Sequence, residues 1–380
     1  MKILIVTNYL PPKIGGIERI SHELASALAE IKGVEVCVAT ANWPAKYIEA
    51  DWEEIHYPYE VLSFPSITIF RRLPLPRIFQ RHFWSKIQSL DRDYDLVFFQ
   101  SHLFILNWII AMKLHKVQRR VWMNQGCNYV PLSTKVGSFI SFVYERLGMS
   151  IMKRFCNEYI GQSRNTADWI SSKVGIPFQV LSNATNLNGI TVNSVFPHAQ
   201  DRRRVLFVGR LVAGKGLIEC VSAISKANDI LSGENIADLF TLTIVGTGPL
   251  INQIPLENLN VDIDFRGELS HSQVIKIMFE SDILIQAYTQ PEGLTTVTLE
   301  GLATGLLIVS TPLSGGEHLN DCINYISGNV DELPMLLVRS KDLSLTRNEL
   351  IITGRSFIEA GLTWDSIAKK LIQGNYSDNL

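Results

Sequence analysis

Short apolar runs alternate with longer segments of helical periodicity along most of the chain. In the first half these runs predict strands at 2–8, 34–40, 96–100, 121–124, 159–162 and 178–181. In the second half they predict strands at 204–209, 242–246, 261–266, 283–287 and 307–310. Buried strands that alternate with helices are typical of a parallel α/β sheet.

The sequence of strand, glycine-containing loop and amphipathic helix opens each half of the chain. Two such openings predict two Rossmann-like, doubly wound domains rather than one large sheet. We expect a first domain over 1–190 and a second over 200–360, with the polar stretch 186–203 as the linker. Ligands of such sheets bind beyond the carboxyl ends of the strands, so we expect the site in the cleft between the two domains.

Composition indicates a globular protein and excludes several other classes. Of the 380 residues, 46% are hydrophobic and 19% are charged, which leaves no room for a large disordered part. The N-terminus lacks the long apolar stretch of a signal peptide, and the most apolar stretch, 103–114, is too short to span a bilayer. Five scattered cysteines without metal-ligand spacing favour reduced thiols, so we expect a soluble cytoplasmic protein.

Charge is distributed unevenly, although the net charge is only −2. Residues 1–190 hold 21 Lys and Arg against 15 Asp and Glu, and the remaining residues hold 14 against 22. A basic half joined to an acidic half is expected of two domains that face different partners, although scattered charges would give the same counts. The basic excess is modest for nucleic-acid binding, so we expect no nucleic-acid partner.

The strongest cluster of candidate site residues follows the fourth predicted strand of the second half. Glu292 and Gly293 stand in a loop, a helix is predicted to begin near Thr295, and Glu300 lies more than one turn inside it. The first turn of a helix binds anions through its free backbone N–H groups and its dipole, and Thr295 and Thr296 add hydroxyl groups. The two carboxylates, about 12 Å apart or less, suit a nucleotide sugar, whose hydroxyl-rich ends flank a diphosphate. Two surface glutamates beside an ordinary helix cap would show the same spacing.

A second cluster follows the first strand of the second half. It combines Gly209 with two cations, Arg210 and Lys215, on a glycine-containing turn. Arginine offers a planar fork of donors and lysine a mobile point charge, so both could reach a diphosphate. Two cations on a loop are also common on solvated surfaces.

Two further glycine pairs stand between a strand and the next helix. Gly246 and Gly248 follow the second strand of the second half, and Gly15 and Gly16 precede the first helix of the chain. Glycine lets the backbone approach a phosphate closely, but a tight turn or helix–strand packing would require glycine equally.

Together these motifs resemble the retaining glycosyltransferases of the GT-B fold, specifically glycosyltransferase family 4. The resemblance covers nearly the whole chain and keeps the order and spacing of motifs at 15–19, 207–216, 246–249, 292–305 and 315–317. It implies two Rossmann-like domains that face each other across a cleft. It also implies that the last helix, at about 362–380, packs back on the first domain.

The resemblance implies an enzyme that moves a sugar from a UDP- or GDP-linked donor to a glycan or lipid-linked acceptor. Such enzymes build cell-surface polysaccharides or glycolipids. Arg210 and Lys215 would hold the donor diphosphate and stabilise the charge of the leaving group. The backbone N–H groups of Leu294 to Thr296 would share that work in a site that excludes water.

The remaining roles also follow from the resemblance. Glu292 would contact the hydroxyls of the transferred sugar, Glu300 would contact the ribose, and Gly16 would approach the phosphates from the first domain. We expect neither a metal nor a cofactor, because the cations and the helix dipole replace them. The family has no settled covalent nucleophile, and attack by the acceptor on the same face is the usual proposal.

The sequence departs from the family at one position. The family often has a histidine followed by glycine after a first-domain strand, and Gln125 stands there before Gly126. Glutamine can hydrogen-bond a sugar hydroxyl but cannot take a proton. His102, after another strand, is a second candidate on the acceptor side, although a lone histidine is more often structural.

The stretch 70–86 mixes cations with large apolar side chains. This composition suits the interface of an anionic membrane or a lipid-linked diphosphate, which predicts peripheral contact at the inner face of a membrane. A solvated helix whose aromatics pack on the core would have the same composition.

Two other functional classes compete with an active transferase. A catalytically inactive nucleotide-sugar-binding or partner protein of the same fold is favoured by Gln125, whereas Arg210, Lys215, Glu292 and Glu300 argue against it. An oxidoreductase is disfavoured because the full G-x-G-x-x-G pattern with its following acidic residue is missing.

Overall fold

The fold is taken from a computed structural model of the chain. The structure describes residues 1–11, 16–42, 57–69, 73–90, 93–126, 129–130, 134–188, 190, 203–234, 236, 239–254, 259–314, 319 and 322–376. Gly15, Cys127 and the glycine turn at 315–317 therefore lie outside the described residues.

The chain forms two compact units. The first comprises Met1–Ser182 and the C-terminal helix, and the second comprises Asn183–Thr363. The change of unit thus precedes the expected boundary at residue 190. The reason is that the next residues already belong to the second unit: the Asn183 amide donates to the Leu294 carbonyl at 2.8 Å, and Thr185 forms a bridge with Thr363.

Seven parallel strands form the sheet of the first unit. In chain order they are β1 (Lys2–Val6), β2 (Glu35–Ala41), β3 (Glu60–Phe64), β6 (Leu96–Gln100), β7 (Arg119–Asn124), β8 (Glu158–Gly161) and β9 (Gln179–Val180). A separate antiparallel hairpin contains β4 (Ser66–Ile69) and β5 (Leu73–Pro76). The strand order β3-β2-β1-β6-β7-β8-β9 places β1 in the interior of the sheet, where Ile3 pairs with Val36 on one side and Leu96 on the other.

The described helices of the first unit are α1 (Gly16–Glu30), α2 (Arg81–Ser89), α3 (Ile105–Lys113), α4 (Lys135–Phe155), α5 (Arg164–Val174) and α11 (Trp364–Gln373). Local sequence explains several ends. The Thr134 hydroxyl accepts from the Gly137 N–H at the start of α4, and the Ser163 hydroxyl caps α5 in the same way. Gly175 ends α5 in the left-handed conformation with φ 69°.

The second unit repeats this architecture with six parallel strands. They are β10 (Arg204–Val208), β11 (Thr241–Val245), β12 (Asp262–Gly267), β13 (Ile283–Gln286), β14 (Leu307–Ser310) and β15 (Tyr325–Ser327), in the order β12-β11-β10-β13-β14-β15. The described helices are α6 (Leu217–Gly233), α7 (His271–Glu280), α8 (Thr296–Ala303), α9 (Leu333–Ser340) and α10 (Arg347–Glu359). Two parallel α/β sheets confirm the predicted fold class.

The structure contains four described strands that the hydrophobic pattern did not predict: β3, β4, β5 and β15. They are short, and β3 is only half-buried along most of its length, so they lack the apolar run that marks the central strands. The stretch 70–86 is also more varied than a single helix. It includes β5 and the first part of α2, and residues 70–72 lie outside the described part of the chain.

The C-terminal helix α11 lies in the first unit, where it packs against α1. Arg119 on β7 holds its end: the guanidinium donates to the carbonyls of Leu371 and Ile372 at 2.9 and 2.6 Å. The same guanidinium pairs with Glu158 through two bonds of 2.7 and 2.8 Å, and the Tyr376 hydroxyl donates to Glu158 at 2.6 Å. One cation therefore satisfies the last carbonyls of the helix and a strand carboxylate together.

Candidate functional site

In the second unit, the loops after β10 and β13 meet because these two strands are neighbours in the sheet. Val205 pairs with Ile283 in parallel register, so both strands end on the same edge. The loops are tied together where the Thr289 N–H donates to the Gly214 carbonyl at 3.2 Å. This contact brings the two strongest predicted clusters into one place.

Lys215 and Glu292 form an ion pair at this junction, with 2.8 Å between Nζ and Oε2. Their side chains are 23% and 32% exposed, so the pair is accessible from solvent. The Lys215 ammonium also lies 5.3 Å from the centre of the Tyr288 ring. Burial raises the pKa of Tyr288, and the nearby Glu292 charge raises it further, so Tyr288 stays a neutral hydroxyl.

The N-terminus of α8 is organised by a chain of hydroxyl and amide groups. Thr295 is the N-cap: its hydroxyl accepts from the Thr298 N–H at 3.1 Å and lies 2.8 Å from the Thr298 hydroxyl. The Thr298 hydroxyl donates to Gln286 Oε1 at 3.0 Å, and the Gln286 amide donates to the Tyr288 hydroxyl at 3.0 Å. The Thr295 hydroxyl is thus engaged within the unit, while Thr296 stands half-buried at the first helical position.

Two contacts hold the loop before α8. The Leu294 carbonyl accepts the Asn183 amide, and Gly293 forms a bridge with Ser314, whose N–H donates to the Glu292 carbonyl at 2.8 Å. The loop therefore presents the Glu292 side chain from a backbone that is fixed on both sides.

Glu300 is a buried carboxylate, with a side chain that is 3% exposed. It lies 3.2 Å from the imidazole of His271, the first residue of α7, whose side chain is 39% exposed. A carboxyl group at such depth requires hydrogen-bond partners around it. His271 is one of the groups beside the Glu300 oxygens.

The predicted glycines differ in what the fold demands of them. Gly246 has φ 132°, and a Cβ there would lie 1.9 Å from the Gly209 carbonyl oxygen, so only glycine fits. Gly248 is equally constrained, because a Cβ there would lie 2.3 Å from the Leu211 carbonyl oxygen. At Gly209 a Cβ would meet nothing closer than the Phe207 ring at 3.8 Å. Gly209 is thus free of a packing requirement, and Arg210 beside it is exposed.

In the first unit, the predicted residues lie at the carboxyl ends of the strands and the start of α1. Gly16 is the first residue of α1. His102 is buried after β6: its Nδ1 lies 3.1 Å from Asn124 Oδ1, and its Nε2 lies 3.7 Å from Glu145 Oε2. Gln125 is half-buried after β7, and neither its amide nitrogen nor its oxygen has a hydrogen-bond partner among the described residues.

Sequence reasoning missed several side chains that the fold places beside predicted ones. Tyr288 and Gln286 support the loop that carries Glu292, His271 lies against Glu300, and Glu145 lies against His102. A signal for Glu145 was available, since it is the one acidic residue in the 21 residues of α4. The others are brought into place by neighbouring strands and helices, which no local pattern records.

Two family models match the chain in succession. The model for Glycosyltransferase Family 4 matches residues 14–188, and the model for Glycosyl transferases group 1 matches residues 202–342. The chain is a glycosyltransferase, and its first half matches the family 4 model. Its resemblance to this family, and its identification as a glycosyltransferase, are thereby confirmed.

Curated relatives of this glycosyltransferase match along nearly their whole length. An uncharacterized glycosyltransferase of Methanocaldococcus jannaschii is 24% identical, with 97% of each chain covered. A GDP-mannose-dependent monoacylated alpha-(1-6)-phosphatidylinositol monomannoside mannosyltransferase of Corynebacterium glutamicum is 23% identical, with 97% of this chain and 96% of that one covered.

Solved structures of glycosyltransferases share the fold. Anabaena HepE in complex with UDP-glucose has a TM-score of 0.68 at 16% identity, over 98% of this chain and 99% of HepE. WaaG, a glycosyltransferase involved in lipopolysaccharide biosynthesis, has a TM-score of 0.61 at 16% identity, over 98% of this chain and all of WaaG. This glycosyltransferase therefore has the GT-B fold predicted from its motifs.

Proposed function

We propose that this glycosyltransferase is a retaining, metal-independent enzyme that transfers a hexosyl group from a UDP- or GDP-linked donor to a glycan or lipid-linked acceptor. The observation that carries the proposal is the junction of the loops after β10 and β13. There the Lys215 ammonium, the Glu292 carboxylate and the N-terminus of α8 lie on one sheet edge. This combination matches a ligand that carries a diphosphate beside a sugar.

The donor diphosphate would compete with Glu292 for the Lys215 ammonium. In the described structure the ammonium is neutralised by Glu292 at 2.8 Å, and a phosphate oxygen would compete for the same donor. The exposed Arg210 and the N–H groups of 294–296 would add further donors. All of these groups favour the departing nucleoside diphosphate more strongly as its negative charge grows, which lowers the barrier.

The two carboxylates would then bind the two hydroxyl-rich ends of the donor. Glu292, freed from Lys215, would accept from hydroxyls of the transferred sugar. The buried Glu300 would accept from the ribose hydroxyls, with His271 beside it. Ionised carboxylates accept but do not donate, so they select paired hydroxyls.

The base of the donor has two sources of support among the relatives. HepE is solved with UDP-glucose, and the Corynebacterium glutamicum relative is GDP-mannose-dependent. We therefore place uridine and guanosine diphosphate sugars first among the donors to be tested. Metal independence rests on the chain's own cations and helix dipole, and predicts that transfer continues in the presence of EDTA.

The acceptor would bind at the carboxyl ends of the first unit's strands. His102 and Gln125 are the candidates there, and Gly16 opens α1 of the same unit. The Gln125 amide, which has no hydrogen-bond partner in the described part of the chain, has both a donor and an acceptor to offer a sugar hydroxyl. Same-face attack by the acceptor, without a covalent enzyme intermediate, would retain the configuration at the sugar.

Peripheral membrane contact would suit a lipid-linked acceptor in polysaccharide or glycolipid synthesis at the inner face of a membrane. In the described part of the stretch 70–86, one aromatic residue packs on the core and two others are exposed as membrane contact requires. Phe83 is fully buried, as core packing requires, whereas Phe79 is 97% and Trp84 is 46% exposed beside cations. Flotation of Phe79→Ser with anionic vesicles tests this segment, and undiminished binding would remove it from the contact.

Thermal unfolding with a panel of UDP-, GDP-, ADP- and dTDP-sugars tests the donor assignment. A ligand at 100 times its Kd adds about 2.7 kcal/mol, which raises the Tm by several degrees. We expect one donor to stabilise the enzyme and Glu300→Ala to abolish the shift. The control Glu359→Ala removes an exposed carboxylate at the end of α10 and should leave the shift intact. A folded protein that responds to none of the donors contradicts the proposal.

A further inference from the structure

The outward face of α4 carries a continuous stripe of large apolar side chains. Val136, Phe139, Ile140, Val143 and Leu147 are between 49% and 70% exposed. Their spacing of three and four residues places them on one side of the helix. The stripe extends for about 17 Å, at 1.5 Å per residue over eleven residues.

The opposite side of α4 is fixed to the core of the first unit, so the stripe cannot turn inward. Glu145, Gly148, Met149 and Met152 are buried. At Gly148 an added Cβ would lie only 2.4 Å from the His102 carbonyl oxygen, which shows how closely the helix backbone is packed. A helix that already has a full inner face does not need a second apolar face for folding.

The charges of α4 are all basic on its accessible surface. Lys135, Arg146, Lys153 and Arg154 are exposed, whereas the one acidic residue, Glu145, faces the core. Lys135 stands in the first turn, where the helix dipole disfavours a positive charge. Its placement there is therefore not explained by helix stability, but it suits a negatively charged partner.

We propose that this stripe, Val136 to Leu147 with its basic rim, is a membrane-binding surface that inserts into the interface of an anionic lipid bilayer. An apolar face flanked by Lys and Arg is the pattern of helices that lie in the membrane plane. Charge complementarity favours an anionic bilayer over a second copy of the chain as the partner of this surface. A second copy of the chain would bring the same basic rim against itself, whereas anionic headgroups would neutralise it.

The stripe lies close to the candidate acceptor site, a relation that rests on the proposed function. Glu145, on the inner side of α4, lies 3.7 Å from His102 at the candidate acceptor site. A helix with its side chains is about 10 Å across. The His102 cluster would thus lie roughly one helix diameter below the lipid surface, within reach of the headgroup of a membrane-held acceptor.

No described helix is both long and apolar enough to cross a membrane. The binding would therefore be in-plane, through the side chains of one helix face. It differs from the stretch 70–86, because α4 follows β7 and shares no residue with that stretch.

The test is flotation of the full chain, without donor or acceptor, on vesicles of phosphatidylcholine with and without phosphatidylglycerol. We expect binding to the anionic vesicles only. Phe139→Glu with Val143→Glu should weaken it by about tenfold or more, since apolar area is lost and negative charge is added. The matched control is Ile352→Glu, because Ile352 is also 66% exposed but lies on α10 of the second unit.

A charge variant separates the two contributions. Lys135→Glu with Arg154→Glu leaves the stripe intact and should weaken binding to anionic vesicles by about tenfold, with a loss of its salt dependence. Unchanged unfolding curves for all variants confirm that the fold is intact, since every substituted side chain is exposed.

Three outcomes would overturn the proposal. The first is a wild-type chain that does not bind anionic vesicles, and the second is equal binding by the stripe variant and the Ile352→Glu control. The third is a wild-type dimer in sedimentation that Phe139→Glu with Val143→Glu disperses, which would make the stripe a contact between copies. Transfer to a water-soluble acceptor is measured separately, so failure of the transferase proposal would leave the lipid result readable.

Discussion

Replacement of Lys215 by methionine tests whether this lysine holds the donor diphosphate. Methionine keeps a long unbranched side chain but removes the positive charge. In the unliganded protein the change breaks the 2.8 Å ion pair with Glu292 and the cation–π contact with Tyr288. Because both charged side chains are about a quarter to a third exposed, solvent screens the pair.

The cost to folding should therefore be small. A partly exposed ion pair contributes at most about 1 kcal/mol, and an exposed cation–π contact about 0.5–1 kcal/mol. We expect Lys215→Met to lower the free energy of unfolding by about 1–2 kcal/mol. Urea unfolding with and without Glu292→Gln in a double-mutant cycle measures the Lys215–Glu292 coupling directly.

The cost to donor binding should be larger. A hydrogen bond to a charged group contributes about 1.5–3 kcal/mol, which corresponds to a Kd raised roughly 10- to 100-fold. We expect the lower end of this range of Kd increase, because Lys215 must first break its ion pair with Glu292. The loss in kcat/KM should exceed the loss in affinity, since the charge on the leaving group is greatest in the transition state.

Calorimetric titration with the stabilising donor, and initial rates of transfer, measure these two effects. Arg266→Met is the control, because Arg266 pairs with Asp264 at 2.6 Å on β12 of the same unit, and both side chains are at least half exposed. A Lys215→Met protein whose donor Kd and kcat/KM equal those of the control would refute the assignment. A loss of several kcal/mol in unfolding would instead show that the ion pair is structural.

Three further predictions concern the glycines, the Gln125 amide and the carboxylate beside the last helix. Gly209→Ala should leave the free energy of unfolding nearly unchanged but weaken donor binding about tenfold or more. Gly246→Ala should destabilise the fold by several kcal/mol, because its Cβ would meet backbone atoms. Calorimetry measures the effect on donor binding, and urea unfolding measures the effect on stability. Gln125→Leu should keep or raise stability by about 1 kcal/mol, since it removes a polar group without a described partner, and yet lower kcat/KM; a stability loss would reveal a partner. Glu158→Gln should flatten the pH dependence of stability. Burial raises the pKa of Glu158, but hydrogen bonds, the strongest of them from Arg119, lower it below 4.5 in the folded protein. The stabilisation from ionised Glu158 is therefore complete above that pH and is lost as the pH falls through the lower folded value.

The glycines illustrate how far the sequence reaches into the site. The motifs identified Gly209, Gly246 and Gly248 as a set, and their order agreed with the family. The sequence could not distinguish the two that the fold itself requires from the one that leaves space. That distinction depends on backbone contacts: a Cβ at Gly246 would lie 1.9 Å from the Gly209 carbonyl oxygen, whereas a Cβ at Gly209 would meet nothing closer than the Phe207 ring at 3.8 Å.

The two carboxylates also show that the sequence indicates positions in the chain but not their partners in the fold. Spacing placed Glu292 before the helix and Glu300 inside it, and the structure begins α8 at Thr296 as expected. Spacing could not indicate that Glu292 is exposed and paired with Lys215 while Glu300 is buried beside His271. Those partners come from the loop after β10 and from α7, and they reach the carboxylates only because of the order of strands in the sheet.

What the sequence by itself determined is the set of central strands, the repetition of one α/β pattern and the identity of the family. Each of these depends on local periodicity and on short motifs, since burial of a strand or helix face constrains nearby residues at a fixed spacing. Only the tertiary structure decided the partners of the polar groups and the exposure of α4. Its apolar residues are compatible with a buried helix, and only the packing of Gly148 and Met152 on the core shows which face is left for a partner. Which face of a helix is covered depends on elements that are distant in the chain, so a local pattern does not contain that information.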